Sequence, residues 1–317
     1  DIGFMEQQLS QNRGAGMLFI EKGGMEAIYY IDAWGKCFDE VSGKQLDPKG
    51  VTKARIEEMV EVAKHKLYDK VPLQECWDET GKAPIKVRWL DINKGDEHNP
   101  EYRSRLVAME LKRDDRKDLF APTPPLEAKK LLFALAVTEE FGFELGDKKR
   151  GTRLDFIDVR RAFFHAENIR NIYVQLCDED WEEGMCGKLN KAMYGTRDAA
   201  QNWAETYIGF MKEAGFVRGR ASPCVFRHSE RNIRAVVHGD DFTVLGHERE
   251  LDWFWRTIQK RFECKLRGRL GPSEGDDKSI RILNRIITWT EEGIFYEGDQ
   301  RHVEIASDAV GFNDRTR

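Results

Sequence analysis

The stretch AVVHGDDFTVLG, Ala235 to Gly246, places two adjacent carboxylates between two apolar runs, Arg234 to Val237 and Phe242 to Leu245. Short apolar segments divided by a Gly-Asp step are the pattern of a β-hairpin, so His238, Gly239, Asp240 and Asp241 are expected to form its tip. Turns favour Asp on their own account, and a plain Gly-Asp turn is the bland alternative. Two acids at the tip of an otherwise apolar hairpin are hard to justify by packing alone. Side chains at neighbouring strand positions point to opposite faces, so only one of the two should share a face with a third carboxylate. That role falls to Asp240.

The third acid lies upstream in RLDFIDVRRAFFHA, Arg153 to Ala166, where Leu154, Phe156 and Val159 suit a buried strand and Asp158 closes it before a short helix. Hard divalent cations want oxygen ligands, and a pair of them stabilises both the attacking and the leaving oxygen of an in-line phosphoryl transfer. An acid at a strand end beside a hairpin of acids suits magnesium in that role. Manganese also accepts octahedral oxygen ligands, so availability alone favours magnesium. Asp155, three residues before Asp158, faces the other side of the strand and reads as solvated.

Further out, Ile56, Met59, Val60, Ala63 and Leu67 recur at helical spacing between Val51 and Leu67. Lys86 to Leu90 and Ser104 to Met109 read as a hairpin with a long polar tip. Leu126 to Phe141 reads as a helix between Pro125 and Gly142. Strands follow at Ile172 to Leu176 and Lys188 to Tyr194, then a helix from Ala199 to Ala214. Beyond the acidic hairpin, Glu248 to Phe262 reads as an amphipathic helix and Ile280 to Tyr296 as a hairpin turning at Glu291 to Gly293. This order gives an α+β fold of split βαβ type, with helices on one face of an antiparallel sheet.

The 317 residues, 40% of them hydrophobic, allow one large lobed domain or two to three ordinary ones. Apolar runs are far shorter than the roughly 20 residues of a membrane span, which points to a soluble protein. The chain begins at Asp1 without a secretory leader, as if cut from a longer polypeptide. Six cysteines without a Cys-x-x-Cys pair argue against a zinc ribbon and suit the reduced thiols of cytosol or nucleus. A net charge of −5 counts against nucleic-acid binding, but positive charge gathers near the acidic hairpin. Arg218, Arg220, Arg227, Arg231 and Arg234 form one cluster; Arg256, Lys260, Arg261, Lys265, Arg267 and Arg269 form another. Solvated surface is the alternative for each.

In order and kind these segments resemble the copia-type reverse transcriptases, the RNA-directed DNA polymerase domains of LTR-retrotransposon Gag-Pol polyproteins. Asp158, Val159, Arg160, Arg161, Ala162 and Phe163 resemble the first motif. CGKLNKAMYGTRDAAQNW (Cys186 to Trp203) resembles the second, and His238 to Asp241 a Tyr-x-Asp-Asp turn. YRSRLVAMEL (Tyr102 to Leu111) and DLFAPTPPLEAKKLLFALA (Asp118 to Ala136) look like fingers segments. The likeness runs from about Lys86 to about Ala306, and ordered motifs are more specific than any single one.

The resemblance implies a right-hand polymerase of fingers, palm and thumb with a ferredoxin-like palm. An N-terminal helical leader or extension would occupy residues 1–70, fingers 71–150, palm 151–250, and a primer-holding region with the start of the thumb 251–317. Asp158 and Asp240 would ligate two magnesium ions, with Asp241 supporting the site. Phe163 would exclude a ribose 2′-hydroxyl; Arg103 or Arg105 would meet the triphosphate; Tyr194 and Gly195 would begin a loop near nucleotide and template. Trp203 reads as a core anchor. Arg256, Lys260, Arg261, Lys265, Arg267 and Arg269 would contact template-primer phosphates without reading sequence.

The expected partners are an RNA or DNA template with its primer, and deoxynucleotides. Integrase, ribonuclease H and protease segments would lie elsewhere in the polyprotein, and the expected location is a cytoplasmic virus-like particle or the nucleus. Three departures stand out: His238 replaces the usual Tyr and could titrate near neutrality, Gly239 replaces a larger residue, and Ala200 replaces a common Pro. The alternatives are a decayed element that only binds nucleic acid or protein, and a metal-dependent nuclease.

Overall fold

The computed structural model describes residues 15–22, 25–32, 37–96, 98–111, 119–144, 147, 150–282, 285–298 and 300–310. The first part of the chain carries strands β1 (Ala15–Lys22), β2 (Met25–Asp32), β3 (Cys37–Phe38) and β4 (Gln45–Leu46). Helix α1 (Pro48–Lys64), β5 (Tyr68–Pro72), α2 (Leu73–Thr80), β6 (Val87–Asn93) and β7 (Tyr102–Ala108) follow. Next come α3 (Leu126–Ala136), β8 (Arg153–Val159), a 3-10 turn at Ala162–His165, β9 (Tyr173–Val174), β10 (Met185–Leu189) and α4 (Ala199–Glu213). The remainder holds β11 (Val217–Arg218), β12 (Val225–His228), β13 (Ile233–His238), β14 (Asp241–Gly246), α5 (Glu248–Gln259), β15 (Cys264–Leu270), β16 (Ser279–Ile282), β17 (Arg285–Trp289), β18 (Ile294–Tyr296) and α6 (Gln300–Ala309). No helix among the described residues is long and apolar enough to cross a membrane. All six cysteines are free thiols.

Two compact units divide the chain, and neither is continuous in sequence: residues 1–120 with 163–203, and residues 121–162 with 204–317. In the first unit, α1 starts at Asp47, whose carboxylate accepts the Gly50 N–H, with Pro48 in the first turn where no N–H partner is needed. Its buried face holds Val51, Ala54, Ile56, Glu58, Met59 and Val62. Val60, placed on the core face by the sequence pattern, is 48% exposed, because it follows the buried Val51 by about two and a half turns and so lies on the opposite side of the helix. The stripe packs with Leu67, Leu106, Phe164, Ile172, Val174, Leu189 and Met193 into this unit's core.

A sheet of six antiparallel strands, in the order β11-β12-β13-β14-β8-β15, organises the second unit. On one face, Tyr207 of α4 meets Phe226 and Phe242 edge-on, and Phe210 packs against Phe254 of α5. Such edge-on pairs each add about 0.5–1.5 kcal/mol beyond area burial. The other face is also covered: Leu154, Phe156, Val236, Leu245 and Leu270 pack with Leu132, Phe133 and Ala136 of α3 and with Ile282, Ile287 and Trp289 of the β16-β17-β18 sheet. The α+β class therefore holds, but helices do not lie on one face alone.

Four element readings change, the first being the strand expected at Lys188 to Tyr194, which is β10 and ends at Leu189. Helix α3 stops at Ala136 rather than Phe141, since the Thr138 hydroxyl donates to the Ala134 carbonyl and the chain turns back there. The segment Ile280 to Tyr296 is a three-stranded sheet, with the expected turn before β18. Strand β15 was not read at all, because its Lys and Arg residues mask a strand that pairs with β8 through its backbone.

Candidate functional site

Backbone register builds the site. Strands β13 and β14 pair from Arg234–Leu245 to His238–Asp241, leaving Gly239 and Asp240 as a two-residue loop. Gly239 has φ +63° with open space where a Cβ would stand, and glycine at the first loop position is the requirement of a tight hairpin turn. Asp240 is thus a turn residue and not a strand residue; its carbonyl accepts the Val159 N–H at 2.9 Å.

Across β14 and β8 the register sets Asp241 directly opposite Asp158. Directly opposed residues in an antiparallel pair point to the same face, so Asp241, and not Asp240, shares the sheet face of Asp158. Alternation along the strand misassigned the pair because Asp240 has left the strand. Asp158, Asp240 and Asp241 are nevertheless brought to one rim of the sheet.

Charge at this rim is unbalanced. Burial, helped by Asp240 and Asp158, lifts the Asp241 carboxyl to about 6, with Arg267 and Lys129 opposing. Lys129 of α3 is 6% exposed and its Nζ has no hydrogen-bond partner among the described residues; burial holds its pKa low, with Asp241 opposing. For His238, offered by the sequence as a group titrating near neutrality, burial and then Lys129 pull the pKa below the usual imidazole value, with Asp240 opposing. Lys129, His238, Phe133, Phe156, Arg285 and Tyr296 help line a cavity of about 350 Å³ behind the turn.

A carboxyl that keeps its proton to about pH 6 when folded, against about pH 4 when unfolded, stabilises the metal-free fold below the lower value. That contribution is lost as pH rises through 6. The metal-free Asp241→Asn variant should therefore melt above the native chain at pH 7.5, and the gap should close by about pH 4. Equal gaps at both pH values would show that Asp241 is not under this strain.

Asp155 differs from its sequence reading. It faces away from Asp158 as expected, but it is fully buried and its two oxygens accept from Arg269 Nε and Nη2 at 2.6 and 2.9 Å. Arg269 also donates to Asp252 at 2.8 Å, so this arginine, expected to face phosphates, is engaged inside the unit. Arg267 is engaged as well: a β-bulge between Leu266 and Gly268 turns its Nη2 to within 2.6 Å of Asp158 and its Nε to 4.0 Å of Asp241. Arg256, Lys260, Arg261 and Lys265 are exposed. In the other cluster Arg231 pairs with Glu250 and lies over Trp253, while Arg227 and Arg234 oppose each other in register.

The remaining candidates lie in the first unit and are described within it. Phe163 is half-buried with its ring 4.9 Å from that of Tyr194, while the neighbouring Phe164 is the fully buried core aromatic. Arg105 Nη1 donates to the buried Glu58 at 2.6 Å and its guanidinium lies over Tyr194. Arg103, two residues earlier on β7, is half-buried and makes no ion pair with a described residue. Trp203 is 2% exposed, an anchor of α4.

Gly195 has φ +84°, and a Cβ there would fall 1.9 Å from the Ala108 carbonyl oxygen. Gly195→Ala should lower unfolding free energy by roughly 3 kcal/mol or more, read by urea denaturation. A loss within about 0.5 kcal/mol would disprove the close approach.

An antiparallel sheet with paired acids at a hairpin tip and a third acid on the adjoining strand gathers an all-oxygen donor set of the kind that suits divalent cations in phosphoryl transfer. The chain belongs to the family described as reverse transcriptase (RNA-dependent DNA polymerase), whose model matches residues 78–272. Its copia-type character agrees with its relatives. A retrovirus-related Pol polyprotein from transposon TNT 1-94 of Nicotiana tabacum is 29% identical over 70% of this chain. The Pol polyprotein from transposon RE1 of Arabidopsis thaliana is 23% identical over 54%. The transposon Ty1-DR1 Gag-Pol polyprotein of Saccharomyces cerevisiae is 23% identical over 38%.

These matches span 16%, 12% and 7% of the respective polyproteins. Among solved structures, apo telomerase from Candida tropicalis matches 82% of this chain and 63% of its own, with 8% identity and a TM-score of 0.45. The foamy viral protease-reverse transcriptase in complex with double-stranded DNA matches 95% and 44%, with 8% identity and a TM-score of 0.40.

Proposed function

We propose that this chain is a catalytically competent polymerase domain that extends a primer with deoxynucleotides on an RNA or DNA template. The observation that carries the reading is the register of β8 and β14, which places Asp158 and Asp241 on one face with Asp240 in the adjoining turn. An all-oxygen donor set of three acids fits hard divalent cations, and we assign two magnesium ions to Asp158, Asp240 and Asp241. When bound, such ions neutralise charge on the phosphates and on the attacking primer hydroxyl.

The chain's own residues supply position. The β13-β14 turn fixes Asp240 through the Val159 N–H, and the paired strands fix Asp158 and Asp241. Phe163, leaning on Tyr194, is assigned the exclusion of a 2′-hydroxyl. Arg103 is assigned the triphosphate in preference to Arg105, which Glu58 holds. Tyr194 and Gly195 are assigned to the nucleotide-side loop, and Arg256, Lys260, Arg261 and Lys265 to duplex phosphates. The regions 71–150, 151–250 and 251–317 are assigned to fingers, palm and primer-holding segment. Other polyprotein domains, and a virus-like particle or nucleus, belong to the same proposal.

The test is primer extension by purified protein on an RNA template with magnesium and deoxynucleotides. Incorporation is expected. Template-primer binding without incorporation, in magnesium and in manganese, would instead support a decayed element, and strand cleavage without incorporation a nuclease.

A further inference from the structure

Two features of the rim have no part in the catalytic reading: the bulge in β15, and the arginine that it aims. Regular pairing runs from Cys264–Val159 through Leu266–Ile157, skips Arg267, and resumes at Gly268–Phe156. The extra residue takes Arg267 out of alternation and turns it over the rim. There its Nη2 donates to Asp158 Oδ1 at 2.6 Å, and its Nε stands 4.0 Å from Asp241 Oδ1. Lys265, by contrast, lies directly opposite Asp158 in register yet is exposed. Proximity along the strand is thus not what selects the cation; the bulge does.

We infer that Arg267 is a built-in counter-cation of the metal site, which holds Asp158 and Asp241 while no divalent ion is bound and must swing away for the ion to enter. The inference rests on the assignment of these acids as metal ligands. The physical reason is competition for the same oxygens. A guanidinium satisfies a carboxylate by charge and by donated hydrogen bonds, whereas a divalent cation needs the same lone pairs. Three acids on one rim, one of them substantially buried, repel one another without a cation. The guanidinium supplies the missing charge from a residue 43% exposed, so it can leave into solvent without carrying a desolvation penalty with it. Apparent metal affinity is then the intrinsic affinity reduced by the fraction of molecules with Arg267 withdrawn.

The sign of the resulting effect is unusual for a residue at an active-site rim: removing Arg267 should tighten metal binding by the free protein. Manganese titration of the metal-free chain, followed by electron paramagnetic resonance of the unbound ion, reads this without any turnover. Arg267→Gln should bind manganese about threefold to tenfold more tightly than the native chain, and Arg267→Lys, which keeps charge but loses the fork, should fall between. Lys265→Gln, which removes an equal charge that makes no such contact, should change affinity less than about twofold. Thermal melts of each variant confirm the fold.

Unchanged or weaker binding by Arg267→Gln, where Asp158→Asn abolishes binding, would overturn the counter-cation role and leave the metal-site assignment standing. Equal tightening by Lys265→Gln would overturn it too, by reducing the effect to net charge. Manganese binding that ignores Asp158→Asn in every background would overturn both the inference and the assignment on which it rests.

Discussion

Asp158→Asn is expected to lower the rate of primer extension by at least about a thousandfold, roughly 4 kcal/mol of transition-state stabilisation. The fold should hardly notice. Asp158 is part-exposed, and its partner Arg267 is 43% exposed, so the lost ion pair contributes about 0–1 kcal/mol. Asparagine keeps the shape and one acceptor oxygen but removes the charge on which a divalent cation depends. The checking measurement is single-turnover extension beside a thermal melt of the same preparation. A variant with more than a tenth of native activity would remove Asp158 from the chemistry; one that also melts far lower would show that the acid is structural.

Three residues earlier on the same strand, Asp155→Ala is expected to do the opposite, costing about 3–5 kcal/mol of stability by leaving Arg269 without its principal partner. Asp155 is fully buried and binds Arg269 through both oxygens. Burial raises its pKa even against that arginine, so the carboxylate depends on Arg269 to be charged there. Asp252, the arginine's other partner, is 47% exposed and cannot replace a buried one. Urea unfolding measures the loss. The double variant Asp155→Leu with Arg269→Met should recover most of it, since removing both charges removes the desolvation penalty along with the attraction. A single variant as stable as the native chain would show that the pair contributes nothing.

The contrast between these two acids measures how far a sequence can be read. Period-two alternation correctly placed Asp155 and Asp158 on opposite faces of one strand. It could not say that Asp155 would be buried, because the partner that permits burial sits 114 residues later, on a strand whose Lys and Arg content hid it. Likewise the hairpin was legible from AVVHGDDFTVLG, but which acid faces Asp158 depended on where the turn ends. Counting alternation through Asp240 gave one answer and the β14-β8 register gave the other.

His238 shows the same limit. As a lone residue it carried the ordinary imidazole value; burial in the folded unit, and then a buried amine from α3 more than a hundred residues away, lower it. Local chemistry and motif order determined the class of the molecule, the acidic hairpin and the strand that carries the third acid. These depend on neighbours along the chain: periodicity, turn geometry and backbone freedom act over a few residues. The tertiary structure alone decided which acid joins Asp158, which arginines are engaged inside the unit, and which cation meets the paired acids. Each depends on a charge brought from a distant segment by sheet register, and a net interaction between charges is set by burial and separation in space, which spacing along the sequence does not encode.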